Sequence, residues 1–195
     1  MRIISGSARG RSIEAPKGRD TRPTLDRVRE AMFGMVQFDV ENALVLDLFA
    51  GSGALGLEAL SRGADEAVFC DSDRAACAVI EKNLASFGFS SRAQVHLTDC
   101  FSLVERLRAS NRKFSLVFID PPYQSGLYEK TLDALTASGI LDDGCIVIIE
   151  HPKKLCIGIG DPRFTVGKPH SYGDTAVTKL VFRESECGEA DRETP

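Results

Sequence analysis

Residues 44–56 read LVLDLFAGSGALG. An apolar run of strand length leads directly into a glycine-rich turn, and a helical pattern follows over 54–62. Glycine is favoured at such a turn because the chain bends tightly there and a ligand can approach a backbone that carries no Cβ. This strand, turn and helix are typical of the nucleotide-binding position in doubly wound α/β folds.

Apolar runs of strand length alternate with helical patterns along the chain. Strands are predicted near 44–49, 66–70, 93–98, 114–119 and 145–150, and helices near 54–62, 73–86, 101–109 and 127–138. Such alternation predicts a parallel sheet that is covered by helices on both faces. Two later runs, 163–166 and 176–182, have no helix between them and predict a closing hairpin.

The first 40 residues are predicted to form an extension to this domain. Residues 1–16 indicate a small hairpin with a glycine-rich turn, and Thr24 can cap a helix whose apolar residues recur every three or four positions. We therefore divide the chain into a basic hairpin and helix extension at 1–40, a main domain at 41–183 and an acidic tail at 184–195. The tail is expected to be disordered because it lacks apolar periodicity.

Charge is unevenly distributed along the chain. The net charge is −4, but residues 1–22 carry six basic side chains against two acidic ones, which gives +4 there and −8 elsewhere. A basic arm can hold phosphates even on an acidic protein. Its candidate phosphate-binding residues are Arg9, Arg11, Lys17 and Arg19. A solvated N-terminal segment is the alternative interpretation.

Carboxylates follow the first three strands. Asp47 suits a ligand with a cationic amino-acid part, because it would repel a pyrophosphate at this position. Asp71 can accept hydrogen bonds from both ribose hydroxyls of an adenosine, and Asp99 can accept from an adenine amine. The glycine turn and Asp71 alone would also fit a nicotinamide or flavin enzyme. Aspartates also commonly cap helices or loops, which is the alternative for all three.

The most specific motif, Asp120-Pro121-Pro122-Tyr123, follows the fourth strand. The exocyclic amine of a purine is a poor nucleophile because its lone pair is delocalised into the ring. Asp120 and the Pro121 carbonyl can both accept hydrogen bonds from that amine, and the two prolines stiffen the turn. Tyr123 offers a flat face on which an unstacked base can rest. The alternative is a tight loop in which Asp120 caps the next helix.

Other ligand chemistry is not indicated. The six cysteines and three histidines are widely spaced, without a C-x-x-C pair, so we predict reduced core thiols and no metal site. No apolar run approaches the roughly 20 residues that a membrane-spanning helix needs, so the expected location is cytoplasmic and no membrane partner is expected.

Together these motifs resemble class I S-adenosylmethionine-dependent methyltransferases, and more closely the RsmD family of 16S ribosomal RNA guanine-N2 methyltransferases. The glycine-rich and basic N-terminal pattern of that family stands at 6–11 and 21–33, and its L-D-L-F-A-G-S-G-x-L-G-x-E-A-L block at 46–60. The resemblance covers most of the chain. Asp71 departs from the pattern, since many relatives carry glutamate there.

This resemblance implies a class I methyltransferase (Rossmann-like) doubly wound sheet of seven strands, mostly parallel, with the last strand pair reversed. It also implies methyl transfer from S-adenosylmethionine to guanine N2 in 16S ribosomal RNA or the assembled small subunit, by a monomer without a metal. The implied catalytic residues are Asp120, Pro121, Pro122 and Tyr123. The expected cofactor-binding residues are Asp47, Phe49, Gly51, Gly53, Asp71, Ser72, Asp99, Cys100, Arg22 and Thr24. Residues 22–24 are expected to close over the methionine end of the cofactor, and the basic arm to bind RNA.

Other activities stay open at this point. Adenine-N6 methylation of DNA uses the same motif, although sequence-reading DNA enzymes usually carry an added recognition domain. Protein glutamine methylation is less favoured because that group prefers Asn at the first motif position. A nicotinamide-dependent oxidoreductase would leave residues 120–123 unexplained, and a non-catalytic RNA-binding module would explain only the basic arm.

Overall fold

A computed structural model describes residues 1–16, 23–122 and 126–184, with the backbone alone for 23–25. Five α-helices are present in these ranges: α1 (Pro23–Met35), α2 (Ala54–Ser61), α3 (Arg74–Phe87), α4 (Cys100–Arg108) and α5 (Tyr128–Ser138). The strands are β1 (Leu44–Asp47), β2 (Glu66–Asp71), β3 (Ala93–Leu97), β4 (Phe114–Ile119), β5 (Leu141–Pro152), β6 (Phe164–Val166), β7 (His170–Tyr172) and β8 (Thr175–Phe182). None of the helices in the described ranges has the length and apolarity to cross a membrane.

The strands form one sheet in the order β3-β2-β1-β4-β5-β8-β6, and β7 also pairs with β8. Strands β1 to β5 are parallel, whereas β8 runs antiparallel to β5, β6 and β7. The strand order reverses between β1 and β4, and in doubly wound sheets the ligand crevice lies at the carboxyl ends of the strands at such a point. The predicted doubly wound sheet with a reversed C-terminal strand is confirmed.

The expected strand count of seven was wrong, because eight strands are present in the described chain. Both β6 and β7 pair with the same edge of β8, and the segment between them contains Gly167 and Pro169. Proline has no N–H to donate to a ladder, and the register shifts by one residue across this break. A single edge position is therefore filled by two short strands.

Strand β5 is longer than predicted at its N-terminus. It begins at Leu141 instead of 145, and its register with β4 shifts between Phe114 and Leu116. The polar residues Asp142 and Asp143 hide this part of the strand from a search for apolar runs.

Two hydrophobic clusters cover the two faces of the sheet. One contains side chains of α1, α2 and α3, including Phe33, Leu57 and Ile80. The other contains side chains of α4 and α5, including Leu103 and Leu135. Because strand side chains alternate between faces, β1, β2, β4 and β5 each contribute residues to both clusters, as their continuous apolar runs predict.

Residues 1–16 pack onto the main domain. Arg2 and Ser12 form an antiparallel bridge, and Ile3 and Ile13 are buried in the same cluster as α2 and α3. Helix α1 begins at Pro23, one residue before the predicted cap at Thr24, because the fixed φ of proline suits a first helical position. The predicted boundary between extension and domain thus separates two segments that share one core.

The cysteines in the described ranges are free thiols, as predicted. Four of them are buried, but Cys156 is exposed, so the expectation of core thiols fails at that position. Cys156 follows the end of β5 in a segment without regular structure, where partly buried and exposed residues alternate.

Candidate functional site

Four strand ends bring four aspartates to one edge of the sheet. Asp47 and Asp71 are the last residues of β1 and β2, and Asp99 and Asp120 follow β3 and β4 closely. Neighbouring parallel strands lie about 4.8 Å apart and end at the same edge. The structure therefore places the predicted aspartates side by side along the crevice.

The glycine turn after β1 is held between the neighbouring strands. Leu48 N donates to the Phe118 carbonyl at 3.2 Å, and Ala50 N donates to the Cys70 carbonyl at 2.9 Å. Gly51 and Gly53 have φ values of 56° and 78°, a region that glycine adopts at least cost. The turn is thus fixed from both sides before α2 begins.

Gly56 serves a packing role different from that of the two turn glycines. A Cβ built at Gly56 would lie 2.3 Å from Phe69 Cε1 on β2. Gly56 N also donates a 3.2 Å hydrogen bond to Asp47 Oδ2. The absent side chain allows α2 to approach the sheet closely enough for its first turn to contact that carboxylate.

The Asp71 carboxylate links the end of β2 to the glycine turn. Its Oδ2 accepts a 2.8 Å hydrogen bond from Gly51 N, and its Oδ1 accepts one of 2.8 Å from Asp73 N. Each carboxylate oxygen has a second lone pair, so the group can still accept from ligand hydroxyls. Although the side chain of Asp71 is shorter than the glutamate of many relatives, its carboxylate is therefore still an oriented acceptor in the crevice.

Asp47 is only 1% exposed. The pKa of its carboxyl is raised to about 7, mainly by burial and also by the negative charge of Asp71, while hydrogen bonds from the Gly56 and Phe49 backbones partly oppose this rise. A buried carboxylate without a cationic partner is costly, and a cation beside it favours the ionised form. Its environment therefore fits a cationic ligand group.

Asp99 caps helix α4. Its Oδ1 accepts from Ser102 N at 2.9 Å and its Oδ2 accepts from the Ser102 hydroxyl at 2.7 Å. These hydrogen bonds, that of the hydroxyl first, hold the pKa of Asp99 below its usual value. Within the chain, Asp99 therefore acts as a helix cap, as in the alternative interpretation. Each of its carboxylate oxygens keeps a second lone pair that can accept a hydrogen bond from a ligand amine.

The remaining predicted cofactor residues lie around this row. Phe49 is partly buried against the α4 and α5 cluster, and Ser72 is exposed just beyond Asp71. Cys100 is buried at the start of α4, where burial raises the pKa of its thiol. A thiol of raised pKa is a poor nucleophile, so we expect Cys100 to pack at this edge of the sheet and not to react.

The motif that begins at Asp120 leaves the sheet directly after Ile119. Pro121 is buried and Pro122 is exposed, while Tyr123 lies outside the described residues. Helix α5 starts only at Tyr128, and Leu127 occupies its N-cap position. Asp120 is therefore not the N-cap residue of α5.

Helix α1 runs in the same direction as α2. Arg29 Nε on α1 lies 3.9 Å from Glu58 Oε2 on α2, and one turn further along both helices the Arg62 guanidinium stacks 4.7 Å above the Phe33 ring. Since α2 starts at the carboxyl edge of the sheet, the N-terminus of α1 lies on that side as well. Of the predicted residues before this helix, Lys17, Arg19 and Arg22 lie outside the described residues, as does the side chain of Thr24.

The described part of the basic arm lies away from the aspartate row. Ser7 N donates to the Ser61 carbonyl at the end of α2, and the Arg11 guanidinium contacts the Ser86 carbonyl near the end of α3. The same guanidinium stacks 4.7 Å from the Phe87 ring. Arg9 is exposed on this hairpin. Both arginines therefore lie toward the amino edge of the sheet, opposite Asp120.

Two buried glutamates escaped the sequence analysis. Glu58 is fully buried on α2 and accepts hydrogen bonds from Ile4 N at 2.7 Å and Ser5 N at 2.9 Å. Glu150 is 5% exposed near the end of β5. It directly follows the apolar run 145–149, which is the same pattern that revealed Asp47 and Asp120, so this signal was available in the sequence.

Within the ranges that the structure covers, no group of three or more histidine, cysteine or acidic side chains could hold a metal ion. The chemistry of the site is that of carboxylates, backbone amides and carbonyls.

Sequence comparisons place the chain among known proteins. The family described as conserved hypothetical protein 95 matches residues 1–181. Ribosomal RNA small subunit methyltransferase D of Escherichia coli (strain K12) is 36% identical over 191 residues, which cover 98% of this chain and 93% of that protein. The protein of the same name from Haemophilus influenzae is 34% identical and covers 78% of this chain and 79% of its own length.

Structural comparisons agree with the sequence matches. A hypothetical protein of Thermus thermophilus has a TM-score of 0.78 at 31% identity, covering 92% of this chain and 98% of its own. An RNA methyltransferase from Salinibacter ruber in complex with S-adenosyl-L-homocysteine has a TM-score of 0.63 at 16% identity, covering 89% and 99%. The latter likeness concerns the fold alone, which is the class I methyltransferase fold.

Proposed function

Because the chain belongs to the RsmD family of methyltransferases, we propose that it transfers a methyl group from S-adenosylmethionine to the exocyclic N2 amine of a guanine in 16S ribosomal RNA. The substrate class is proposed from the relatives named as small-subunit ribosomal RNA methyltransferases, which match nearly the full chain. The RNA is either free or part of the assembled small subunit.

One observation carries this proposal: the acceptors of the Asp120 motif and the cofactor-type turn share one crevice. Asp47 pairs with Phe118 across β1 and β4, so Asp120 lies only two residues beyond the strand partner of Asp47. A cofactor bound along β1 and β2 would thus have its reactive end beside Asp120. Simple proximity of this kind contributes much of the rate enhancement in transfer reactions.

The carboxylates at this edge suit a cationic methyl donor. Bound S-adenosylmethionine would supply a methyl group on a cationic sulfonium and would be left as a neutral thioether. Asp47 would hold the ammonium group of the donor, and Asp71 would accept from its ribose hydroxyls. The glycine turn would let the ligand approach the backbone.

Asp120 and the Pro121 carbonyl would hold the amine that is methylated. Two acceptors on the two N–H bonds of guanine N2 localise its lone pair and orient it toward the methyl group. As the nitrogen gains positive charge, the Asp120 carboxylate stabilises that charge, and the departing proton passes to Asp120 or to water. Tyr123 is proposed to stack against the unstacked base.

Cofactor identity is tested by ligand-dependent melting. S-adenosylmethionine at a hundred times its dissociation constant should stabilise the fold by about 2.7 kcal/mol, whereas NAD should not shift the melting temperature. Stabilisation by NAD alone would favour the oxidoreductase interpretation.

Activity is tested with labelled S-adenosylmethionine and small ribosomal subunits that lack this modification, with protein-free RNA and duplex DNA alongside. N2-methylguanosine from the RNA would support the enzyme, base and substrate class together. N6-methyladenine from the DNA would show that the substrate is adenine in DNA, with methyl transfer to an exocyclic amine as the unchanged reaction type. Label in neither nucleic acid would overturn the proposal.

A further inference from the structure

Glu150 stands beside the Asp120 motif in the sheet. Strands β4 and β5 are parallel, and Ile119 pairs with Ile149, so Asp120 and Glu150 are the next residues on neighbouring strands. Such residues are about 4.8 Å apart along the hydrogen-bonding direction. The two residues are thus neighbours at the carboxyl edge, and β5 lies on the side of β4 away from β1.

Both side chains belong to the same face of the sheet. Phe118 and Ile148 lie in the cluster with α1 to α3, whereas Ile119 and Ile149 lie in the cluster with α4 and α5. Strand alternation therefore directs Glu150 to the face of Ile148, and it directs Asp120, as the chain leaves β4, to the face of Phe118. Asp47 shares this face, because Val45 belongs to the first cluster.

The backbone around Glu150 is held firmly. It lies in a central strand, paired with Val177 of β8. The next side chain, His151, contacts the Thr178 hydroxyl at 2.9 Å and the Pro152 carbonyl at 3.0 Å. A side chain on such a rigid element can hold a ligand group in a defined position.

A buried carboxylate beside the proposed amine site has a chemical match in guanine. The Watson–Crick edge of guanine presents two adjacent donors, N1–H and the N2 amine. Adenine presents its N6 amine beside N1, which is an acceptor and would face the negative carboxylate without a proton between them. A site built to accept from a donor rejects an analogue that lacks it, because the acceptor is left unpaired.

We infer that Glu150 is a specificity-determining residue that accepts a hydrogen bond from guanine N1–H while Asp120 and the Pro121 carbonyl hold N2. This inference rests on the proposed function and deepens it, since it explains why guanine and not adenine would be methylated.

The test compares guanine with 2-aminopurine at the methylated position of an otherwise identical RNA. The analogue keeps the amine at C2, but its N1 is an unprotonated acceptor. The wild-type protein should prefer guanine by about 100-fold in kcat/KM. Glu150→Gln should reduce this preference to below about tenfold or reverse it, because the glutamine amide can donate to N1 of the analogue.

A structural role for Glu150 would slow both substrates equally and leave the guanine preference unchanged, which would overturn the inference. Equal rates for the two RNAs with the wild-type protein would overturn it without any variant. Glu150→Asp keeps a carboxylate and should keep the guanine preference at a reduced rate, which covers the case in which Glu150→Gln does not fold. Asp142→Asn, at the opposite end of β5, removes the same charge and should leave the preference unaltered.

Failure of the proposed function gives a different result from failure of this inference. If the wild-type protein methylates neither RNA, the ribosomal RNA assignment fails and Glu150 loses its role with it. If the wild-type protein methylates guanine but the Glu150→Gln variant keeps the full preference, only the inference fails.

Discussion

The two halves of the carboxyl edge are built in different ways. On the cofactor half, at the ends of β1 to β3, the carboxylates of Asp47, Asp71 and Asp99 accept hydrogen bonds from backbone N–H groups of the turns and helices beside them. On the substrate half, Asp120 is followed by two prolines, which have no N–H, and stands beside Glu150 from a strand some thirty residues later. The first half is organised mainly by local turns, and the second by strand pairing.

This difference implies that changes in the two halves separate binding from turnover. Loss of a cofactor-half carboxylate should raise the dissociation constant for S-adenosylmethionine. Loss of a substrate-half acceptor should lower the rate at saturating cofactor.

The largest effect is expected at Asp120. Asp120→Ala removes an acceptor for the amine and should lower kcat by about a thousandfold or more, with little change in S-adenosylmethionine affinity. Transfer of labelled methyl to the small ribosomal subunit measures kcat, and calorimetric titration measures the affinity for S-adenosylmethionine. Asp120→Asn keeps one acceptor oxygen and should retain more activity than the alanine variant. Near-normal turnover by Asp120→Ala would refute the catalytic assignment.

Asp71→Ala should act on the cofactor half alone. It removes the acceptor proposed for both ribose hydroxyls and the partner of Gly51 N, so affinity for S-adenosylmethionine should fall about 100-fold. Turnover at saturating cofactor should stay close to that of the wild type. Asp73→Ala is the matched control, because Asp73 caps α3 through Ala75 N at 2.8 Å. It should cost about 1 kcal/mol of stability and leave affinity unchanged.

Gly56→Ala tests whether close packing of α2 on β2 supports the cofactor half. The new Cβ would meet the Phe69 ring, so the free energy of unfolding should fall by about 1–3 kcal/mol in a denaturant titration. Phe69→Leu in the same chain should recover part of this loss. Gly34→Ala on α1, where a Cβ meets no atom within 4 Å, should not destabilise the protein. Equal effects at both glycines would refute the packing argument.

A further prediction concerns pH and Asp47. Its folded pKa is raised to about 7, whereas the unfolded value is about 3.9. Between about pH 4 and pH 7 the folded form thus binds a proton that the unfolded form lacks, so this group lowers the free energy of unfolding as pH rises through that window. The free energy of unfolding of Asp47→Asn should be close to that of the wild type below about pH 4. Between about pH 4 and pH 7 it should increasingly exceed the wild-type value, as measured by denaturant titrations.

Cofactor affinity should change with pH in the opposite direction. If the ammonium group of the donor requires ionised Asp47, affinity should be about tenfold weaker at pH 6 than at pH 8. Asp47→Asn should bind more weakly throughout and lose this dependence. A wild-type affinity that is independent of pH between 6 and 8 would show that Asp47 does not carry the cationic group.

Much of this organisation could be predicted from local sequence. The strand over 114–119 is observed with the predicted bounds, and the helices after β1, β2 and β3 begin or end within one residue of the prediction. Such elements depend on nearby apolar periodicity and on turn residues, which a sequence displays directly. The division of the last edge strand into β6 and β7 was missed because His170–Tyr172 is short and polar and gains its pairing only from β8.

The position of the basic hairpin could not be predicted in the same way. Its charge indicated phosphate binding, but Arg9 and Arg11 lie near the C-terminal ends of α2 and α3. Contacts to Ser61 and Ser86, more than 50 residues away in sequence, fix that position. Charge composition describes what a segment can bind, whereas its place relative to the catalytic edge depends on long-range packing.

The doubly wound fold, the glycine turn and the row of aspartates at the strand ends could be predicted from sequence, because each follows from residues close together in the chain. The anchoring of residues 4 and 5 by Glu58 and the place of Glu150 next to Asp120 became evident only in the folded chain. The register between parallel strands is set by packing across the whole sheet, so no local pattern encodes which two residues become neighbours.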